Sequence, residues 1–142
     1  MIRFILVQNR QGKTRWARWY IEYDEKEKKR LQLTVHRLLL ARDSRFTNFI
    51  EFMSYKLVYK RFAGLYFVLC VDSSDNELGC LEFIQLLVET LDQYFGNVSE
   101  LDLIFNFHKV FAVMDEMVIG GEIAECSKVV VMNALRKVDA QE

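Results

Sequence analysis

Residues 55–72 read YKLVYKRFAGLYFVLCVD, and the way this stretch divides decides the fold. Tyr55, Leu57 and Tyr59 alternate with Lys56 and Lys60, the period of two expected of a half-buried strand. Leu65 to Val71 is an uninterrupted apolar run, the composition of a strand in a sheet interior. Only Ala63 and Gly64 separate the two, and so short a connection implies antiparallel pairing. A further strand is expected before them, roughly Asn48–Met53. After Asp72 the period changes. Ser73-Ser74-Asp75-Asn76 is a helix-capping cluster, and Cys80, Phe83, Ile84, Leu87, Val88, Leu91, Tyr94 and Phe95 recur at helical spacing. Gly96 fits the C-terminal cap.

Working outward, Ile2–Gln8 is nearly continuous apolar sequence, and Asn9-Arg10-Gln11-Gly12 has hairpin-turn chemistry. Thr14–Ile21 reads as the returning strand. Asp24 followed by Glu27 signals a helix start. Leu31, Val35, Leu38 and Leu39 then mark its inner face, with an end near Arg42. Beyond Gly96, Ser99-x-x-Asp102 opens another helix, so apolar up to Asp115 that burial on most of its circumference is expected. Gly120-Gly121 should end it, and Ser127 should start a last helix with Val131, Leu135 and Val138 inward. The predicted order is ββαβββααα, an α+β fold with one antiparallel sheet and helices on its faces.

Composition narrows the class. The chain has 142 residues, 51% hydrophobic and 13% aromatic, enough to bury a core and too apolar for disorder. No apolar run approaches the roughly 18–20 residues of a membrane span. No secretory leader pattern is visible at the N-terminus. Three cysteines at unrelated spacings, Cys70, Cys80 and Cys126, argue for a reducing, cytosolic setting. Net charge is −1, yet residues 1–71 carry 15 Lys+Arg against 6 Asp+Glu, and residues 72–142 carry 4 against 14. Such asymmetry marks either a binding surface or two solvated halves that attract each other.

No catalytic apparatus is apparent. Gly12-Lys13-Thr14 resembles the end of a phosphate loop, but Val7 stands where that loop needs its first Gly. Asp72, Asp75 and Glu77 lack the central Gly and distant Glu of a calcium loop, and capping explains them. His36 and His108 have no ligand partner at helical spacing, so no metal site is expected. The cysteines sit in apolar patterns, as core thiols do. Two features remain: Arg10, Lys13, Arg15 and Arg18 clustered with Trp16 and Trp19 on the first hairpin, and the small or apolar residues of Gly96-Asn97-Val98-Ser99 and Ala63-Gly64-Leu65. The first is a solvated basic face or an anion-binding patch. The second is a shallow apolar groove or ordinary chain packing. The acidic second half argues against nucleic acid as a partner.

MIRFIL at residues 1–6, Gln8-Asn9-Arg10-x-Gly12-Lys13-Thr14-Arg15, Trp19-Tyr20, YKxxYKRFAGLYF from Tyr55 to Phe67, Asp75-Asn76-Glu77-Leu78 and ELDLIFNF from Glu100 to Phe107 together resemble the sigma chain of clathrin adaptor complexes. The likeness runs without gaps from Met1 to about Lys128. Asn9-Arg10, Thr14-Arg15, Asp43 with Thr47-Asn48-Phe49, and Ala63-Gly64 resemble most the sigma chain of the plasma-membrane endocytic adaptor. The resemblance implies a longin-like, five-stranded antiparallel sheet flanked by helices, as one domain over residues 1–142.

It further implies a non-catalytic subunit, without cofactor, that binds acidic dileucine signals in the cytoplasmic tails of membrane cargo during endocytosis. Ala63, Leu65, Val88, Val98, Leu101 and Leu103 would line the pockets for the two apolar residues, with Asn97 adding polar contacts. Arg15 would face the acidic residue together with a basic residue of the large alpha chain. The implied partners are that alpha chain directly, and the mu and beta chains of the heterotetramer. Clathrin and the plasma membrane would be reached through the assembly, in coated pits on the cytoplasmic side. Phe62, Trp16 and Ser99 depart from the family's usual Tyr, Leu and Cys, and Trp16 is bulky enough to shift Arg15. The alternatives are a sigma chain of a Golgi or endosomal adaptor, or a free-standing longin-like trafficking regulator with its own membrane anchor.

Overall fold

Ile2–Gln8 (β1) and Thr14–Trp19 (β2) form the first hairpin, followed by a helix over Glu25–Leu40 (α1). Phe49–Phe52 (β3), Tyr55–Phe62 (β4) and Leu65–Asp72 (β5) complete a five-stranded sheet in the order β2-β1-β5-β4-β3. All its pairings are antiparallel. Glu77–Phe95 (α2), Glu100–Phe105 (α3), Phe107–Met117 (α4) and Lys128–Gln141 (α5) follow, with a small hairpin of Val118–Ile119 (β6) and Glu122–Ile123 (β7) between α4 and α5. This is a computed structural model, and it describes residues 1–41, 48–123 and 128–141. Arg42, Asp43, Thr47, Cys126 and Ser127, which figure in the sequence reading, and the side chain of Val138 lie outside the described residues.

The caps act where the sequence places them. The Asp24 carboxylate accepts from the Glu27 backbone N–H at 2.8 Å. The Asn76 side chain accepts from Leu78 and Gly79 at 3.0 and 3.3 Å, and Gly96 closes α2 at φ 64°. Each cap satisfies backbone groups that the end of a helix would otherwise leave without partners.

The sheet is covered on both faces. On one side Phe4, Leu6, Leu57, Tyr59, Val68 and Cys70 pack with Leu31, Val35 and Leu39 of α1. On the other, Ile5, Val7, Val58, Phe67 and Leu69 pack with α2, α4 and α5. β4 is therefore buried on both faces from Lys56 to Tyr59, and not half-buried as its alternation suggests. Lys56 is only 9% exposed. Its aliphatic stem passes through the packing while Nζ donates to the carbonyls of Ser73 (3.1 Å) and Asp75 (2.5 Å). A lysine that delivers its charge to carbonyls beyond the strand end is indistinguishable in sequence from one facing water.

Val118 pairs with Ile123 and Ile119 with Glu122 across Gly120-Gly121, so the glycines form a hairpin turn and not merely a helix stop. The Ile2 N–H donates to the Gly121 carbonyl at 2.7 Å, fastening this hairpin to β1.

Cys70 and Cys80 are buried, and burial pushes the Cys70 thiol up to about 12. Thiolate is the reactive form, so neither should react with an alkylating reagent in the native chain. Labelling followed by peptide mass spectrometry is expected to modify both only after unfolding by denaturant.

Candidate functional site

The chain reverses sharply after α2. Gly96 and Asn97 both adopt left-handed backbone, at φ 64° and 70°. Asp92 holds the reversal twice: its carbonyl accepts from the Asn97 N–H at 2.9 Å, and its carboxylate accepts from the Val98 N–H at 3.0 Å. Val98 is thereby driven inward and is 4% exposed. Ser99 then starts α3, its N–H and hydroxyl donating to the Asp102 carboxylate at 2.8 and 3.1 Å.

The single helix expected from Ser99 to Gly120 is two helices, broken at Asn106 (φ −124°, ψ 34°). Six residues of α3 make fewer than two turns, so few of them face the core at once. Leu103 is that inward residue, at 0% exposure. Leu101 (60%), Phe105 (72%) and Phe107 (55%) face outward, with Ile104 at 37%. This segment is an apolar ledge on the surface, where the sequence pattern suggests a buried helix.

Arg15 leans from β2 toward this ledge. Its Nε donates to Glu100 Oε1 at 2.5 Å, and the Asn9 amide donates to the same oxygen at 2.9 Å. Asn9 also accepts from the backbone N–H groups of Gln11 and Lys13, both at 3.0 Å, so one side chain shapes the β1–β2 turn and braces Glu100. The Arg15 hydrogen bond, then that from Asn9, holds the Glu100 carboxyl below its ordinary 4.5. A lowered folded value means the contact's contribution is complete above the ordinary value and is lost as pH falls through the lowered one. It therefore persists at neutral and mildly acidic pH.

Trp16 does not share the direction of Arg15, as successive strand residues do not. It enters the core at 4% exposure, its ring 4.8 Å from that of Phe111 and its Nε1 donating to the Phe107 carbonyl at 3.4 Å. A hollow of about 330 Å3 lies beside it, bordered by Arg15, Gln32, Phe107 and Phe111. Arg18 pairs with Asp115 at 3.4 Å. At these two arginines the basic first half and acidic second half of the chain meet each other directly.

The remaining sequence-predicted residues fall into two groups. Leu65 (1%), Val88 (0%), Val98 and Leu103 are packed in the same apolar cluster. Ala63, Asn97 and Leu101 reach solvent. Ala63 (φ 53°) and Gly64 (φ 76°) are the two left-handed residues of the β4–β5 turn, which Phe62 and Leu65 flank as a pair. Such a turn requires positive φ at both central positions, and Ala63 adopts it despite its Cβ. Glu100 is the residue the sequence reading did not single out. It stands 85 positions from Arg15, and only the folded chain joins them. Among the described residues, no helix is long and apolar enough to cross a membrane, and no group of three or more His, Cys, Asp or Glu is placed to hold a metal ion.

Comparison with known proteins agrees with this architecture. A chain from Dictyostelium discoideum described as AP-2 complex subunit sigma is 53% identical over 139 residues, 98% of each chain. One of the same description from Aspergillus fumigatus is 56% identical over 144 residues, covering 100% of this chain and 99% of that one. AP-1 complex subunit sigma-1 of Arabidopsis thaliana is 51% identical over 128 residues, 90% of this chain and 80% of its own. A chain in a homology model of the full-length AP-3 complex, in a stretched open conformation, superposes with a TM-score of 0.78 at 30% identity, covering 99% of this chain and 95% of that chain. The five-stranded antiparallel sheet between helices is thus the longin-like fold of adaptor small chains. The sequence model of the clathrin adaptor complex small chain matches residues 1–142, and the chain belongs to that family.

Proposed function

We propose that this chain, as a single domain over residues 1–142, is the non-catalytic small subunit of the plasma-membrane clathrin adaptor, and that it binds acidic dileucine signals of membrane cargo during endocytosis. One observation carries the reading. The short helix α3 places Glu100 against Arg15 while its next residue, Leu101, lies exposed and Leu103 enters the layer of Leu65, Val88 and Val98. A site for a carboxylate and a site for apolar side chains are thus only a few residues apart. A signal of the form acidic-x-x-x-Leu-Leu, spanning about 13 Å from acid to first leucine when extended, can reach both. Burying each leucine contributes about 1.5–3 kcal/mol. Loss of peptide and rigid-body freedom opposes this by several kcal/mol, so binding is weak and reversible, as cargo release requires.

The outward Ile104, Phe105 and Phe107 support a direct contact with a larger chain, which we assign to the alpha subunit, with mu and beta completing the core. The subunit then works on the cytoplasmic side of the plasma membrane, reaching clathrin and lipid through its companions.

Titration of the assembled adaptor with a dileucine peptide tests the site. Leu101→Ser is expected to weaken binding about ten-fold, since Leu101 can contribute about one leucine contact, while assembly stays intact. Wild-type affinity in this variant, or undiminished binding of a peptide whose two leucines are alanines, would overturn the reading. The likeness to an AP-1 sigma chain favours one second reading, a subunit of a Golgi or endosomal adaptor. Purification of the tagged chain with its companions separates the two by which large chain comes with it.

A further inference from the structure

We infer that Glu100 is an internal competitor for the anion site at Arg15, a built-in carboxylate that an incoming acidic residue must displace or share. The inference rests on the dileucine reading and adds the residue that sets how strongly the acid of the signal is weighed.

The geometry resembles that of a bound ligand. A single oxygen, Oε1, takes Arg15 Nε at 2.5 Å and Asn9 Nδ2 at 2.9 Å, so a charged and a neutral donor converge on one point. Asn9 is 5% exposed and fixed by its two turn contacts, so it presents its amide whether or not a carboxylate is there. Lys13 adds positive potential from the same turn. The side chain of Arg15 is 29% exposed and that of Glu100 36%, so water and solutes reach the pair. An exposed pair of this kind is worth little, which makes displacement feasible. The charge still counts against the ligand. With Glu100 in place, Arg15 is already neutralised, and a second carboxylate arrives beside a like charge.

Two roles for Glu100 are separable by chemistry. If it mainly orients Arg15, removing its accepting oxygen weakens acidic ligands, and removing its charge alone leaves them unchanged. If it competes, removing its charge strengthens them. Glu100→Gln distinguishes these because the amide oxygen still accepts from Arg15 and Asn9 while the negative charge is gone. Orientation is kept and competition removed.

The experiment uses the assembled adaptor and two peptides, Glu-x-x-x-Leu-Leu and Ala-x-x-x-Leu-Leu, with affinities measured at low and high salt. The readout is the ratio of the two affinities. Glu100→Gln is expected to raise that ratio about two- to five-fold, the range an exposed ion pair allows, and added salt should shrink the gain. Glu100→Ala should raise it as well. A ratio unchanged or lowered by Glu100→Gln, with both peptides still binding through their leucines, overturns the competitor role and leaves the dileucine reading standing. If neither peptide binds in a leucine-dependent way, the reading falls and this inference falls with it.

Discussion

Val88→Asp is expected to unfold the isolated chain at neutral pH, or nearly so. Val88 is 0% exposed and, on the inner face of α2, belongs to the same buried apolar cluster as Leu65, Val98 and Leu103. A carboxylate there has no donor ready for it. Leaving a buried charge uncompensated costs about 3–5 kcal/mol, against a total stability of about 5–15 kcal/mol for a typical domain. The pH dependence identifies the cause. Burial disfavours the charged form, so the introduced acid titrates above its unfolded value. The folded variant then binds more protons than the unfolded one between those two values, and its stability falls as pH rises through them. Urea midpoints of the variant should accordingly be higher at about pH 5 than at about pH 7.5 relative to wild type. Val88→Ala, which opens a cavity without a charge, should lose about 2 kcal/mol with no such trend. A Val88→Asp chain as stable as wild type would show that this position opens to solvent. Loss of peptide binding in the variant reports on the fold first, and exposed Leu101 is the better probe of the site.

A second large effect is expected from Gly121→Ala. Gly121 sits at φ 88°, and a Cβ on it would lie 2.6 Å from the Ile2 carbonyl oxygen. The Met1 side chain, 3.0 Å away, can swing aside, but the Ile2 oxygen is backbone, so the β6–β7 hairpin must pull away from β1 and stretch the 2.7 Å hydrogen bond between Ile2 and Gly121. Left-handed strain of about 1–2 kcal/mol for a non-glycine residue adds to the displacement, and a total near 3 kcal/mol is expected. Gly120→Ala is the control. Its φ is 57°, but nothing lies within 4 Å of its added Cβ, so only the conformational part is felt. Equal thermal stability of the two variants would refute the close approach.

The elements came through the sequence better than their surroundings. Period, caps and the two-residue turn at Ala63-Gly64 are local, and local chemistry is what a sequence displays. What was hidden depends on neighbours distant along the chain. Lys56 reads as a solvent-facing residue because nothing near it reveals the Ser73 and Asp75 carbonyls waiting for its ammonium. The run from Leu101 to Phe107 reads as core because hydrophobicity alone does not say that the helix breaks at Asn106 and that Leu101, Phe105 and Phe107 face outward. The glycine pair was visible as a stop, yet Val118-Ile119 before it and Glu122-Ile123 after it also spell a hairpin. At the site, Arg15 is legible by its company of Arg10, Lys13 and Arg18, and by the family likeness. Its partner Glu100 is not, since a charge pair across most of the chain leaves no periodic trace.

The two faces of the sheet each hold one of the chain's two tryptophans. Trp16 is enclosed with Phe111 on the side of α2, α4 and α5, while Trp19 rests 4.9 Å from Phe4 on the α1 side, with the Lys28 ammonium 5.7 Å from its ring. Strand alternation alone put them on opposite sides, and it furnishes the molecule with two indole chromophores in unlike settings, one dry and one beside a cation. Light emitted by the first reports on the ledge that carries Glu100 and Leu101, because its Nε1 donates to the carbonyl of Phe107. The second reports on the α1 side of the sheet, through Phe4, Tyr23 and Lys28. Replacing either with Phe leaves a single-colour observer of one half of the fold, so the two layers can be watched separately as the chain folds or meets its companions.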